Sequence, residues 1–198
     1  MQSHPPRLFV KAMKLLAFAG SIRTGSYNRL LVSAAASIAR EAGAEVDLAD
    51  FTEFRMSGYD PQEEAATGLP AGALALKARI DAADGLIVST PEYNNSVPGT
   101  VKNAIDWVSR ARPNPWSGKH GLVLSASPGM AGGRSAAWML RVPLEVCGMI
   151  LYPEMLSLGQ ADQAFDDKGA LKNLGMQGRL EKLVHGYVAM ATALATRK

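Results

Sequence analysis

One cysteine stands in 198 residues, so Cys147 can close no internal disulfide, and the chain suits a reducing compartment, the cytoplasm. Late in an apolar helical stretch, that cysteine reads as core rather than nucleophile. No apolar run approaches the ~20 residues that cross a bilayer as a helix, so no membrane partner is expected. Residues 1–12 are polar and carry prolines, without the apolar centre of a signal peptide. His4, His120 and His185 stand at no ligand spacing from a carboxylate or from the cysteine, so no metal site is expected. No Gly-x-Ser-x-Gly elbow is present, and no spacing suggests a Ser-His-Asp set. Neither sign of charge dominates: 21 Lys and Arg face 18 Asp and Glu, a net +3. That excess is too small to argue for nucleic acid, and it weighs against an acidic electron carrier.

What is present is enough for one buried core at this length. Met13 followed by Lys14 resembles a start, so residues 1–12 read as an extension and residues 13–198 as a single domain. Residues 14–19 form a short apolar strand, and 28–41 carry Leu30, Leu31, Ala34, Ala35 and Ile38 at helical spacing. Residues 45–50 alternate like a half-exposed strand. Residues 51–70, with Gly58, Pro61, Gly68 and Pro70, read as a long surface loop. A helix follows over 71–83, with Leu74, Lys77 and Asp81 at helical spacing, then an apolar strand over 86–89. Pro98 sits near the start of a helix that runs to 109 with Val97, Val101, Ile105 and Val108 as its stripe. Strands at 120–126 and 149–152 flank a helix over 135–147. A polar loop with Asp166 and Asp167 precedes a last helix over 173–195. Trp107, Trp116 and Trp138 are assigned to the core by default, with a pocket or subunit interface as the alternative.

Strand and helix alternate five times, which implies a parallel sheet with helices on both faces. Ligands of such sheets bind beyond the carboxyl ends of the strands. Three glycine- or hydroxyl-rich loops follow strands one, three and four, so they converge on that edge. The first, 20–28, gathers Ser21, Arg23, Ser26 and Asn28 between a strand and a helix, the makings of an anion site. It contains neither Gly-x-Gly-x-x-Gly nor the Gly-Lys-Ser/Thr ending of a P-loop. The competing reading is a plain helix cap by Ser26 or Asn28 with Arg23 solvated. The second loop, 90–96, offers the flat ring of Tyr93 and several backbone groups for the edge of a heterocycle. Asn94 or Ser96 as a cap, and Glu92 as an exposed carboxylate, are its competing readings. The third, 127–133, is either a site loop or a flexible connection.

Two segments carry a family resemblance. Gly20-Ser21-Ile22-Arg23-Thr24-Gly25-Ser26-Tyr27-Asn28 is one; Pro91-Glu92-Tyr93-Asn94-Asn95-Ser96-Val97-Pro98-Gly99, running on into Lys102-Asn103-Ala104-Ile105-Asp106-Trp107, is the other. Both resemble the NAD(P)H-dependent FMN reductases, a flavodoxin-like family, and within it the quinone or chromate reductase branch. The resemblance spans residue 14 to the C-terminus and leaves residues 1–12 outside. It implies a doubly wound α/β fold with a five-stranded parallel sheet in the order 2-1-3-4-5. It also implies tightly held FMN, with Ser21, Arg23, Ser26 and Asn28 at the phosphate and Tyr27 among the cofactor-binding residues. Pro91, Glu92, Tyr93 and Asn94 would line the isoalloxazine, and Ser127 and Gly129 would close over it. Homodimers or homotetramers are implied as well.

The expected activity is electron transfer from NADH or NADPH through FMN to a small acceptor such as a quinone or flavin, by a ping-pong cycle. Because the flavin carries such chemistry, no catalytic side chain is named. No site for a 2′-phosphate is legible, so the choice between NADH and NADPH stays open. The alternative is a flavodoxin-type carrier that binds FMN and does not react with NAD(P)H.

Overall fold

The computed structural model describes residues 12–195. The expected N-terminal extension lies outside these described residues, Ala12 excepted. The first strand, β1 (Lys14–Ala19), is buried along all but its first residue and runs into α1 (Tyr27–Glu41). Strand β2 (Glu45–Ala49) is exposed along most of its length, and its sequence alternation does not carry into burial, since Leu48 is 40% exposed. Both β3 (Gly85–Thr90) and β4 (His120–Ala126) are buried throughout, which a central strand covered on both faces requires.

All strand pairs are parallel, in the order β2-β1-β3-β4 with a fifth position beyond β4. That fifth position is divided. Strand β5 (Ile150–Leu151) pairs with the start of β4, and β6 (Leu156–Leu158) pairs with its end. Pro153, which has no N–H to give a ladder, falls in the gap. The sequence reading has one strand here and misses β6.

Alternate residues of β1 feed two cores. Leu15, Ala17 and Ala19 meet α1 and the last helix, α7 (Leu174–Ala195), on one face. Leu16 and Phe18 meet α3 (Ala71–Ala82), α4 (Gly99–Val108) and α5 (Arg134–Val146) on the other. Tyr187 of α7 reaches into the sheet and donates to the carbonyls of Leu86 (3.1 Å) and His120 (3.2 Å).

Three expectations need correction. Residues 51–70 are not a structureless surface loop. Asp50 and Glu53 form a capping box around a 3-10 turn, Phe51–Phe54, whose two phenylalanines are buried against Phe18. Asp60 then caps α2 (Pro61–Thr67), with Pro61 in the first turn. The buried stripe of α3 is Ala73, Leu76 and Ile80; Leu74 is half exposed, because Ala and Gly supply the close-packed face. Trp107 and Trp116 are core, but Trp138 is 56% exposed on the outer face of α5. A further short helix, α6 (Ala161–Ala164), breaks the polar loop before α7.

Candidate active site at the carboxyl edge of the sheet

Parallel pairing aligns Ala19 with Ser89, and Thr90 with Ser125, so the loops that follow β1, β3 and β4 emerge side by side. Asn28 ties them together from below. Its carboxamide oxygen accepts from Ser89 Oγ (2.8 Å) and Ala126 N (2.9 Å), while its Nδ2 donates to Ala126 O (2.8 Å). The residue is buried, so this side chain holds the first loop against the ends of β3 and β4.

Ser26 occupies the N-cap of α1, yet its side chain makes no capping bond. Asn28 does not cap either, its amide being spent on β3 and β4. The plain-cap reading therefore has no bond to rest on. The backbone N–H groups of Thr24, Gly25, Tyr27 and Asn28 donate to no protein acceptor. Ser21 and Ser26 are buried at this turn. Arg23 is exposed; it touches Gly25 O (3.3 Å) and lies 5.2 Å from the Tyr27 ring, with its remaining donors uncommitted. Free N–H groups at the start of a 15-residue helix, two hydroxyls and one guanidinium make a donor set without an acceptor. Such a set has the chemistry that a phosphate dianion requires.

The second loop is a tight hairpin. Tyr93 and Ser96 exchange backbone bonds of 3.1 Å, and Asn94 and Asn95 between them have φ of 52° and 57°. Two successive left-handed residues make a primed two-residue turn, for which asparagine is well suited. Helix α4 begins after Pro98, so neither Asn94 nor Ser96 caps it. The turn pushes the Tyr93 ring out to 54% exposure, while Pro91 stays buried.

Glu92 is neither a solvated carboxylate nor a free one. It is half buried, and its Oε2 accepts from Ala136 N (3.1 Å), the third residue of α5. Helix α5 lacks a cap of its own because its N-cap is Gly133, in a left-handed conformation (φ 81°) against Ser125 and Glu92. The second loop thus supplies the cap of the helix that follows the third. That third loop is held rather than flexible: Ser127 N donates to Leu158 O (3.1 Å), Ala161 N donates to Ser127 O (3.1 Å), and Gly129 N reaches Ser127 Oγ (3.2 Å). Met130, 83% exposed, stands at its tip.

The partners that lock these loops, namely Ser89, Ala126 and β6, carry no motif signal. Ser89 looks like one more small strand residue, and β6 is three residues long. Among the described residues no group of three or more His, Cys, Asp or Glu gathers as a metal site. Burial pushes the Cys147 thiol above its ordinary range, which keeps it protonated and unreactive.

The fold and this edge define a class, the flavodoxin-like α/β proteins that hold a phosphorylated ligand between loops after strands one, three and four. A profile of the NADPH-dependent FMN reductases matches residues 13–163. The chain belongs to that family, and is therefore an oxidoreductase that works with NAD(P)H and FMN. It is 37% identical to an NAD(P)H-dependent FMN reductase of Pseudomonas aeruginosa, over 80% of this chain and 84% of the relative. It is 33% identical to an NAD(P)H:quinone oxidoreductase of Solanum tuberosum, over 92% and 94% respectively. In structure it resembles FerB, a flavoenzyme NAD(P)H:(acceptor) oxidoreductase from Paracoccus denitrificans. The TM-score is 0.79 at 28% identity, covering 91% of this chain and 97% of that one.

Proposed function

We propose that the chain holds FMN at this edge and passes electrons from NAD(P)H to quinones, flavins or similar small acceptors. The unpaired donors of the first loop carry the reading, because free N–H groups and hydroxyls at the start of a helix, beside a guanidinium, suit a phosphate. Ser21, Arg23, Ser26, Tyr27 and Asn28 would hold the phosphate, the last two through their N–H groups. Pro91, Glu92, Tyr93 and Asn94 would line the ring on one side, with Ser127 and Gly129 on the other. Bound FMN supplies hydride and electron transfer. The chain's own part is to bind, orient and shield: the capped α5 and the primed hairpin hold both loops rigid, so little is reorganised when a ligand enters.

One exposed flavin face, near the loops of Tyr93 and Gly129, would admit one planar partner at a time. Coenzyme and acceptor then alternate, and the cycle is ping-pong. A homo-oligomer fits the exposed apolar stripe on α5, where Trp138, Met139, Val142 and Val146 are each more than half exposed. The single cysteine supports a cytoplasmic address, and the family's reach from residue 13 supports a single domain, 13–198.

Purified protein should be yellow, and anaerobic NADPH or NADH alone should bleach it. Initial rates at several quinone concentrations should give parallel double-reciprocal lines. Bound FMN that no nicotinamide coenzyme bleaches would instead fit the flavodoxin-type carrier. Intersecting lines would demand a ternary complex and a second acceptor surface.

A further inference from the structure

Beside the first loop lies a cleft of about 210 Å³, lined by Ile22, Phe51, Phe54, Arg55, Met56, Thr100 and Asn103. One wall is the loop residue Ile22, 45% exposed, and the other is the first turn of α4, so the cleft borders the first loop. Its volume is below the roughly 300–1,000 Å³ of a pocket that takes a whole cofactor, and suits one part of a ligand. The lining holds one charge. Arg55 is positive, and no carboxylate faces it.

Arginines elsewhere in the described chain are mostly engaged: Arg29 on Asp50, Arg79 on Asp47 and Glu53, Arg141 on Glu145. Among the described residues the Arg55 guanidinium makes no hydrogen bond, ion pair or ring contact. Nothing in the fold explains its position as a stabilising contact, yet its backbone is firmly placed. Helix α3 packs so tightly on the carbonyl of Arg55 that only glycine fits at position 72. From α4, the Asn103 amide bonds Tyr59 N (2.7 Å) and Ser57 O (2.7 Å), and Trp107 Nε1 donates to Ser57 O (2.9 Å). The segment after Arg55 is thereby pinned against the helix. An exposed apolar side chain, a threonine hydroxyl without a protein partner and an unpaired guanidinium on a firmly placed backbone suit a purine carrying a phosphate.

We propose that this cleft receives the 2′-phosphorylated adenosine end of NADPH, with Arg55 pairing the 2′-phosphate and making the enzyme prefer NADPH to NADH. The inference rests on NAD(P)H being the reductant of the bound flavin. The purified, FMN-loaded protein should bind 2′,5′-ADP at least tenfold more tightly than 5′-AMP, measured by calorimetry on the oxidised form. In Arg55→Ala that preference should vanish, a loss of roughly tenfold to a hundredfold, the range of a charge-assisted hydrogen bond. Arg55→Lys should keep part of it. The ratio of kcat/KM for NADPH over NADH should fall in step. The flavin spectrum and melting temperature serve as folding controls, since the side chain makes no internal bond. Equal binding of the two nucleotides to the wild type, or a preference that survives in Arg55→Ala, would overturn the assignment. Wild-type protein bleached by neither coenzyme would overturn the proposed activity itself, a separate result.

Discussion

At the amino end of the sheet, Arg79 pairs with Asp47 and with Glu53, and Lys14 reaches Glu45 at 4.0 Å, around a groove of about 330 Å³. At the carboxyl end, Arg23, Arg55 and Arg134 have no carboxylate partner, and Glu92 is turned onto the start of α5. The larger groove is thus electrically closed, and the smaller openings are not. The two ends teach that volume alone does not mark a site in this molecule. In the reading proposed above, a cluster of donors facing no carboxylate does, because an anionic ligand can complete it.

The sharpest way to break this contrast is at its hinge, Asn28. Asn28→Leu removes three buried hydrogen bonds and strands Ser89 Oγ and both polar groups of Ala126. We expect a loss of at least about 3 kcal/mol in urea unfolding, from ~1–3 kcal/mol for each of the three stranded groups. A loss under 1 kcal/mol would mean the loops are held apart from this amide. Glu92→Ala should cost less, about 1 kcal/mol, the scale of a lost helix cap, and Glu92→Gln should restore most of it. Equal losses in the two variants would assign the effect to charge rather than to the hydrogen bond.

Arg79→Ala sharpens the comparison from the other end. Its partners are about half exposed, so the loss should stay within ~1 kcal/mol, and FMN affinity should not change. A weakened FMN complex would show that the ion pairs reach the site. The smallest effect concerns Asp50. Bonds from Thr52, with Arg29 nearby, hold its carboxyl below the ordinary 3.8. A lowered value means the contribution is complete at neutral pH and disappears only as pH falls below about 3.8 through the folded-state value. Asp50→Asn should therefore flatten the acid limb of the stability curve slightly and leave the neutral region's slope alone.

Much of this was legible in the chain itself. The alternation of strands and helices, the loop positions and the turn at Gly20–Asn28 follow from apolar runs and punctuation, because central parallel strands are apolar throughout and their loops break that pattern, whereas the strand order 2-1-3-4-5 came with the family resemblance. What stayed hidden has physical reasons. Residues 51–54 are held by a capping box and two phenylalanines, a turn too short to show a period. Strand β6 exists only because β4 offers an edge beyond Pro153. Glu92 caps α5 across 44 residues of sequence, and Arg55 is marked by what it does not touch. Such relations live in three dimensions, and neither period nor motif records them.

The central claim is that the free donors of the first loop are there for a phosphate. Apoprotein titrated with FMN and with riboflavin, in wild type and in Arg23→Ala, tests it most directly. The wild type should prefer FMN strongly, and Arg23→Ala should lose ~1.5–3 kcal/mol of FMN binding while riboflavin binding barely moves. Equal losses for the two ligands, or a wild type indifferent to the phosphate, would contradict the account.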